Sequence, residues 1–351
     1  MRVANRMHKI VILHTRHGRS TTWRYLEDWG FGVERIVIAA TYERFGAVCP
    51  GLLATGRLPW TFGFRPRSTI RGRRLRHVGR IPARRFPDES CPVAAAHHGW
   101  TVVFTDMERV PDGRMGEIEA LWDALAASSQ DIRLLNDPRT PKKRVPVLDL
   151  LHREGINEFA TYSIANGDIP KPRKFPVFVR EANDHRGPVS DLLADQQGLE
   201  RWLGETRAAG RLPPTPIVTE FVDTADANGR FRKYGAFRIG DAIVPAHFHE
   251  ADSWAVKIDN STPDSALVEE EWNYIRTNPH EQQVMRVFRL LRTEYGRMDY
   301  ALRDGRIQVF EINTSPTLLE PGGSKFPERT RRKEFVGRRL HRAFVALGGS
   351  E

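Results

Sequence analysis

Two short β-like runs near the C-terminus carry side chains that could hold a divalent cation. The runs flank Asp304-Gly305, with Asp299 on the first run and Glu311 and Asn313 on the second. A two-residue loop would turn Asp299 away from Glu311, whereas a three-residue loop would pair them directly and place Asn313 on the same face. Like charges directly across two strands repel, so the second register persists only where a cation holds the carboxylates.

Hard oxygen ligands of this kind favour Mg²⁺, which commonly takes one or two protein carboxylates and completes its shell with water and substrate phosphates. Mn²⁺ is a second candidate ion for the same ligands. The hairpin therefore indicates a magnesium-dependent nucleotide site. The alternative is a surface hairpin whose acidic residues are unrelated to one another.

The hairpin resembles the metal-binding end of the ATP-grasp superfamily, which includes carboxylate-amine ligases. The superfamily pattern is Arg-x-Asp, a gap, and then Glu-x-Asn, as found here at Arg297, Asp299, Glu311 and Asn313. The resemblance implies that Asp299, Glu311 and Asn313 bind a Mg²⁺ ion that bridges the phosphates of ATP. It also implies a catalytic role for Arg297.

Three weaker landmarks precede the hairpin in the order of that superfamily. Gly155-Ile156 resembles the turn before the first ATP-grasp strand, FPVFVR (175–180) the strand that carries a phosphate-binding lysine, and TEFV (219–222) the adenine hinge. The resemblance covers Asn136 to Pro316 and identifies no subfamily. It implies an α/β fold in which a small N-terminal α/β domain precedes two ATP-grasp subdomains that clasp the nucleotide.

The hinge residues follow from the same resemblance. The carbonyl of Glu220 and the amide of Val222, on either side of Phe221, would contact the adenine edge. Asp226 is the candidate for the ribose hydroxyls, and Asp223 is its rival. All of these remain implications of the resemblance.

Several cations are implied near the phosphates. Lys257 resembles a basic residue that reaches them, although a solvated lysine is the alternative, and Arg186 lies in a shortened flap over 183–188. Arg180 and Arg139 stand where the superfamily usually has lysine, and Arg180 is also assigned a catalytic role. Because arginine is a planar fork and lysine a point charge, the phosphate geometry must differ from the usual one.

Two histidines, His247 and His249, share one face of a predicted strand. A zinc site is one interpretation, but a catalytic zinc generally needs a third protein ligand. The other interpretation is that they line a substrate pocket or lie at a strand end. Arg232 and Lys233, on the preceding strand, are either solvated or part of a pocket for a carboxylate or phosphate.

The predicted elements divide the chain into three parts. Residues 1–135 alternate strands and helices, which indicates a small parallel sheet. A lid subdomain over 136–215 and a C-terminal subdomain with the metal site over 216–345 follow. The predicted elements of the first part are strands over Ile10–Leu13, Arg35–Ala40 and Trp100–Thr105 and helices over Thr22–Trp29 and Arg114–Ala127.

The formal charge of +10 is concentrated in one irregular stretch. Residues 44–87 contain eleven arginines and no acidic residue, together with many prolines and glycines. A basic arm for nucleic acid or an acidic protein, a solvated insertion, and an aberrant reading frame all fit this composition. No function is inferred from it, and nucleic acid is not an expected partner.

Composition excludes several classes of protein. Apolar residues make up 40% and charged residues 28% of the 351, which is a globular balance. No apolar run reaches the roughly 18 residues that a membrane helix needs, and the N-terminal apolar run is too short for a secretory signal. The only cysteines, Cys49 and Cys91, form no disulfide framework, so we expect a cytoplasmic protein.

The expected function is an ADP-forming ligase that joins a carboxylate, through an acyl phosphate, to an amine or similar nucleophile. Its partners would be small molecules, and the sequence does not indicate an oligomeric state. The alternatives are a phosphotransferase of the same fold, a nucleotide-binding protein without ligase activity, and nucleic-acid binding through residues 44–87.

Overall fold

The computed structural model describes residues 9–14, 37–41, 99–164, 168–184, 187–256, 265–316, 318 and 327–347. The basic stretch over 44–87, both cysteines, the helix predicted over 22–29, Arg186 and Lys257 lie outside these residues. Within them, no helix combines the length and hydrophobicity that crossing a membrane requires.

A parallel sheet forms the N-terminal domain. Its strands are β1 (Lys9–His14), β2 (Val37–Thr41), β3 (Trp100–Phe104) and β4 (Ile132–Leu135), in the order β2-β1-β3-β4. Helix α1 (Met115–Ala126) buries Ile118 and Leu125 against apolar side chains of β1 and β3. The α/β class and the parallel sheet predicted for this part are thus confirmed.

A three-stranded antiparallel sheet, called the lid sheet below, includes two strands of the predicted lid subdomain and one strand beyond it. Its order is β5-β7-β6, and helix α3, whose N-cap residue Asp195 accepts a hydrogen bond from the Gly198 amide at 2.7 Å, packs on it. β7 lies beyond residue 215, so the lid sheet extends past the predicted subdomain boundary. The bounds are β5 (Thr161–Ser163), β6 (Val177–Glu181), α3 (Gln196–Ala208) and β7 (Pro216–Glu220).

A four-stranded antiparallel sheet, ordered β11-β10-β8-β9, carries the carboxylate hairpin. Helix α2 contacts β11 and β5, and so spans the two antiparallel sheets. The bounds are α2 (Arg144–Arg153), β8 (Phe231–Ile239), β9 (Ala242–Ala251), α4 (Ser265–Thr277), α5 (Glu281–Leu290), β10 (Tyr295–Arg303), β11 (Arg306–Asn313) and α6 (Pro327–Ala346).

Asn136 connects the N-terminal sheet to this four-stranded sheet. Its side-chain Nδ2 donates to the carbonyls of Phe104 (2.9 Å) and Tyr295 (2.8 Å). Its Oδ1 accepts from the amides of Glu294 (2.8 Å) and Tyr295 (2.9 Å), and the side chain is fully buried. The end of β3 is thereby fixed to the start of β10, the strand that carries Asp299.

We expect Asn136→Ala to lower the free energy of unfolding by about 2–4 kcal/mol, because it leaves several buried backbone groups without partners. Urea denaturation followed by circular dichroism measures the change. Asn228→Ala, at an exposed turn position, is the control and should change stability by less than about 0.5 kcal/mol. Equal stability of the two variants would contradict a connecting role for Asn136.

Candidate functional site

The carboxylates of the hairpin meet because of a β-bulge. Arg303 pairs with Arg306, so the loop has two residues, and Asp304 and Gly305 both have positive φ. Farther along, Tyr300 pairs with Val309 but Asp299 pairs with Glu311. The extra residue is Phe310. A two-residue loop was predicted to turn Asp299 away from Glu311. The bulge shifts the register by one residue and so allows the two carboxylates to pair.

Asp299 is held among cations. Arg297 Nε donates to Oδ1 at 2.9 Å, and Lys233 Nζ lies 3.7 Å from Oδ2. Burial alone would raise the pKa of Asp299, but the charges of Arg297 and Lys233 outweigh it and hold the pKa well below the ordinary range. Asp299 therefore stays ionised at all physiological pH values. This is the protonation state that a metal ligand needs.

Glu311 pairs with an arginine from α2. Arg144 Nη2 donates to Glu311 Oε2 at 2.7 Å, and the two side chains are only 6% and 18% exposed. Arg144 Nη1 also donates to the backbone carbonyls of Glu181 (3.1 Å), Ala182 and Asp184 (2.9 Å). One guanidinium thus links the carboxylate hairpin to the end of the lid strand β6.

Arg139 does not lie at the site, contrary to the prediction. Its side chain is 41% exposed and pairs with Asp123 and Asp137 on the surface. Arg144 stands beside Glu311 instead. Helix α2 begins at Arg144, and a positive charge at a helix N-terminus is unfavourable because of the helix dipole. This position could have indicated that Arg144 pairs with an anionic residue elsewhere in the chain.

Arg180, on β6, lines the cleft between the two antiparallel sheets, and phosphate binding by this residue stays a prediction. It makes no hydrogen bond or ion pair with any residue that the structure describes, and its Nε is buried. Burial, and then the charge of Arg144, lowers the pKa of Arg180 to about 10. The charges of Glu311 and Asp184 act on this pKa in the opposite direction. A buried guanidinium without a direct hydrogen-bond partner among the described residues favours binding of an anion.

The side chain of Glu220 organises the lid and not the cleft. It is 2% exposed and accepts from the amides of Ala160, Arg173 and Lys174 at 3.0 Å and from the Tyr162 hydroxyl at 2.8 Å. Four donors on one carboxylate fix the segments before β5 and β6. Glu220 is also one of the residues that line the cleft, and contact of its carbonyl with adenine stays a prediction.

The hinge offers a free amide and aromatic surfaces. Phe221 and Val222 line the cleft; the Phe221 amide donates to the Pro176 carbonyl at 2.9 Å. Val222 N–H has no protein acceptor in the part of the chain that the structure describes. The ring of Trp254 lies 4.9 Å from that of Phe178 and 5.9 Å from that of Phe221. A flat heteroaromatic ring fits such a surface.

Neither ribose candidate lines the cleft. Asp226 Oδ1 accepts from the Arg230 amide at 3.0 Å and Oδ2 from Arg232 Nη1 at 2.7 Å, so both oxygens are already engaged. Asp223 closes its own short turn. Two polar residues near Asp223 and Asp226, Thr224 and Arg232, do line the cleft. Thr224 was not predicted as a site residue, and the role of Arg232 was left open.

Asn313 and Arg297 adjoin the cleft without lining it. They are cross-strand partners, and Asn313 Oδ1 accepts from the Ser315 amide at 2.8 Å. Arg297 donates a hydrogen bond to Asp299 and stabilises the negative charge of that carboxylate. Metal binding by Asn313 therefore stays a prediction, and Arg186 and Lys257 are outside the described residues.

The two histidines lie beside Asp299. Gly235 pairs with both Asp299 and His247, and the His247 and His249 ring centres are 4.7 Å apart. Burial, followed by the charges of His249 and Arg297, lowers the pKa of His247 well below its ordinary value. No group of three or more His, Cys, Asp or Glu residues is placed to hold a metal within the described ranges, so nothing there favours zinc.

Gly235 makes room for the His247 ring, because a Cβ at 235 would lie 2.6 Å from Cε1. We expect Gly235→Ala to lower the free energy of unfolding by about 1–3 kcal/mol through this overlap. Combining it with His247→Ala should recover most of that loss. Urea denaturation of the two single variants and the double variant measures the coupling, and strict additivity would contradict the packing described.

No protein-family model matches the sequence, and neither does any of the curated proteins compared with it. The fold resembles several solved structures. D-alanine–D-alanine ligase from Bacillus anthracis, complexed with ATP, has 10% identity and a TM-score of 0.48, with 97% of this chain and 98% of that chain covered. A RimK domain ATP-grasp protein from Sphaerobacter thermophilus has 14% identity and a TM-score of 0.43, with 97% and 98% covered.

A third similar structure, N5-carboxyaminoimidazole ribonucleotide synthetase from Thermotoga maritima, has 12% identity and a TM-score of 0.42, covering 88% of this chain and 68% of that chain. Identities and scores this low leave the function to be argued from the chain's own residues.

Proposed function

We propose that the chain is an ATP-grasp ligase that activates a carboxylate with ATP and transfers the acyl group to an amine or similar nucleophile, releasing ADP. The observation that carries this proposal is the pairing of Asp299 with Glu311 in a cleft that is also lined by Arg180, which has no ion-pair partner among the described residues. The two carboxylates would hold a divalent cation, and the guanidinium would attract the phosphates of the nucleotide.

The donor set fits Mg²⁺. Both carboxylates line the cleft, and cross-strand pairing of like charges favours a bound cation. Asp299 and Glu311 would hold the ion, with Asn313 as a third oxygen donor. When bound, Mg²⁺ would neutralise phosphate charge and orient the γ-phosphate for in-line attack.

Arginines would complete the phosphate site. Arg180 lines the cleft from β6, and Arg144, from α2, pairs with Glu311, which also lines the cleft. Arg144 would exchange part of its pairing with Glu311 for the incoming phosphates. The two guanidinium groups would then provide fixed positive charge where negative charge develops in the transition state.

The lid would protect the intermediate. An acyl phosphate is hydrolysed if water reaches it, so the site must close over the reactants. The lid sheet carries Arg180 and ends at the hinge, and it contributes Phe178 and Thr219 to the cleft wall. Closure would therefore bring Arg180 to the phosphate in the same movement that excludes water.

We expect Glu311→Gln to reduce ADP release by about 100-fold or more while leaving the fold intact, because the variant loses a charged metal ligand. Coupled ADP detection with pooled metabolites measures turnover, and circular dichroism checks folding. Glu205→Gln, the same change at an exposed position of α3, should behave as wild type. Full turnover by Glu311→Gln would refute the metal assignment.

We expect Arg180→Gln to weaken Mg-ATP binding at least about tenfold, since it removes a buried cation from the phosphate site. The matched control is Arg139→Gln, whose arginine lies on the surface, and its affinity should stay within about twofold of wild type. Calorimetric titration measures both. A larger loss in the control than in Arg180→Gln would reverse the assignment of the two arginines.

A further inference from the structure

Lys233 lines the cleft with its ammonium group beside Asp299. It lies on β8, two residues before Gly235, whose cross-strand partner on β10 is Asp299. Its Nζ is 3.7 Å from Asp299 Oδ2, and both side chains are partly buried. The other oxygen, Oδ1, accepts a hydrogen bond from Arg297 at 2.9 Å. Each oxygen of this predicted metal ligand therefore already faces a side-chain cation.

Lys233 differs from the arginine beside Glu311 in lacking a second anchor. Arg144 donates to three backbone carbonyls as well as to Glu311, which holds its guanidinium in place. Lys233 Nζ makes no hydrogen bond with any residue that the structure describes, and 3.7 Å exceeds the length of a hydrogen bond. An ammonium group on a flexible four-carbon stem can turn to a new anion. Lys233 is thus able to leave Asp299.

Side-chain cations outnumber the carboxylates around the paired acids. Four cations and three carboxylates interact there, namely Arg144, Arg180, Lys233 and Arg297 with Asp184, Asp299 and Glu311. A bare divalent ion would therefore enter a region of net positive charge, where Coulomb repulsion opposes its binding. The phosphates of a nucleotide would reverse this balance and give Lys233 a new anionic partner.

We propose that Lys233 is an internal counter-ion that keeps the metal from Asp299 until a nucleotide is bound, so that metal and nucleotide bind only together. This inference rests on the proposed function, because it concerns the metal of that ligase site. When phosphates enter, Lys233 would turn from Asp299 to a phosphate oxygen and leave Oδ2 open to Mg²⁺. Such coupling is reciprocal: nucleotide raises the affinity for metal by the same factor as metal raises the affinity for nucleotide.

Mn²⁺ is the probe for this coupling, because the electron paramagnetic resonance signal of the free ion falls when it binds. Its uptake by the full-length protein is measured without nucleotide and with a non-hydrolysable ATP analogue, against a reference that contains the analogue but no protein. We expect Lys233→Met to bind Mn²⁺ without nucleotide at least about tenfold more tightly than wild type does. Lys171→Met, the same loss of charge at an exposed position, is the matched control and should behave as wild type.

Lys233→Arg is the second variant, because it keeps a positive charge beside Asp299. It should exclude Mn²⁺ in the absence of nucleotide as wild type does, whereas a purely structural role would affect both variants alike. Circular dichroism checks that both are folded. Equal Mn²⁺ affinity of wild type and Lys233→Met without nucleotide, or equally tight binding by Lys233→Arg and Lys233→Met, would overturn the proposal.

The same titrations separate this inference from the proposed function. Mn²⁺ binding to the wild type that is equally tight with and without the analogue would overturn the role of Lys233 but keep the metal site. No Mn²⁺ uptake by the wild type even with the analogue would refute the metal site itself, and the inference with it.

Discussion

The repulsion between two carboxylates on adjacent strands is the constraint around which the site is built. Asp299 and Glu311 are direct cross-strand partners, and each has a cation beside it. Asp299 pairs with Arg297 of its own strand β10 and with Lys233 of β8, whereas Glu311 pairs with Arg144 of α2. The pair is thus tolerable only in the assembled fold, and a bound divalent cation would remove the remaining repulsion.

Buried polar side chains hold the sheets in the arrangement that this pair requires. Asn136 fixes the N-terminal sheet to the start of β10, and Glu220 gathers the lid segments by accepting from four donors. Arg144 then links the lid strand to the hairpin. A buried polar group without a hydrogen-bond partner costs free energy of folding. These side chains therefore restrict the packing of the sheets to fewer arrangements than apolar contacts alone would. The cleft lies where these connections converge.

Local patterns in the sequence sufficed for the α/β class, most strands and the residues of the hairpin, because apolar periodicity and Asp-Gly turns act over a few residues. The bulge at Phe310 was beyond such reasoning, since an apolar residue in a strand gives no local sign of an unpaired position. The pairing of Arg144 with Glu311 was not predicted either, because burial beside Glu311 is set by tertiary packing. The engagement of Asp226 by its own turn and by Arg232 likewise depends on contacts that the sequence does not indicate.

The central claim is that the paired carboxylates and the buried guanidinium of Arg180 form a metal-dependent nucleotide site. The most direct test is calorimetric titration of ATP into the wild-type protein, with Mg²⁺ in one series and EDTA in the other. The account predicts saturable binding with about one nucleotide per chain in Mg²⁺ and strongly weakened binding in EDTA. Absence of binding in Mg²⁺, or equal affinity in both series, would contradict it.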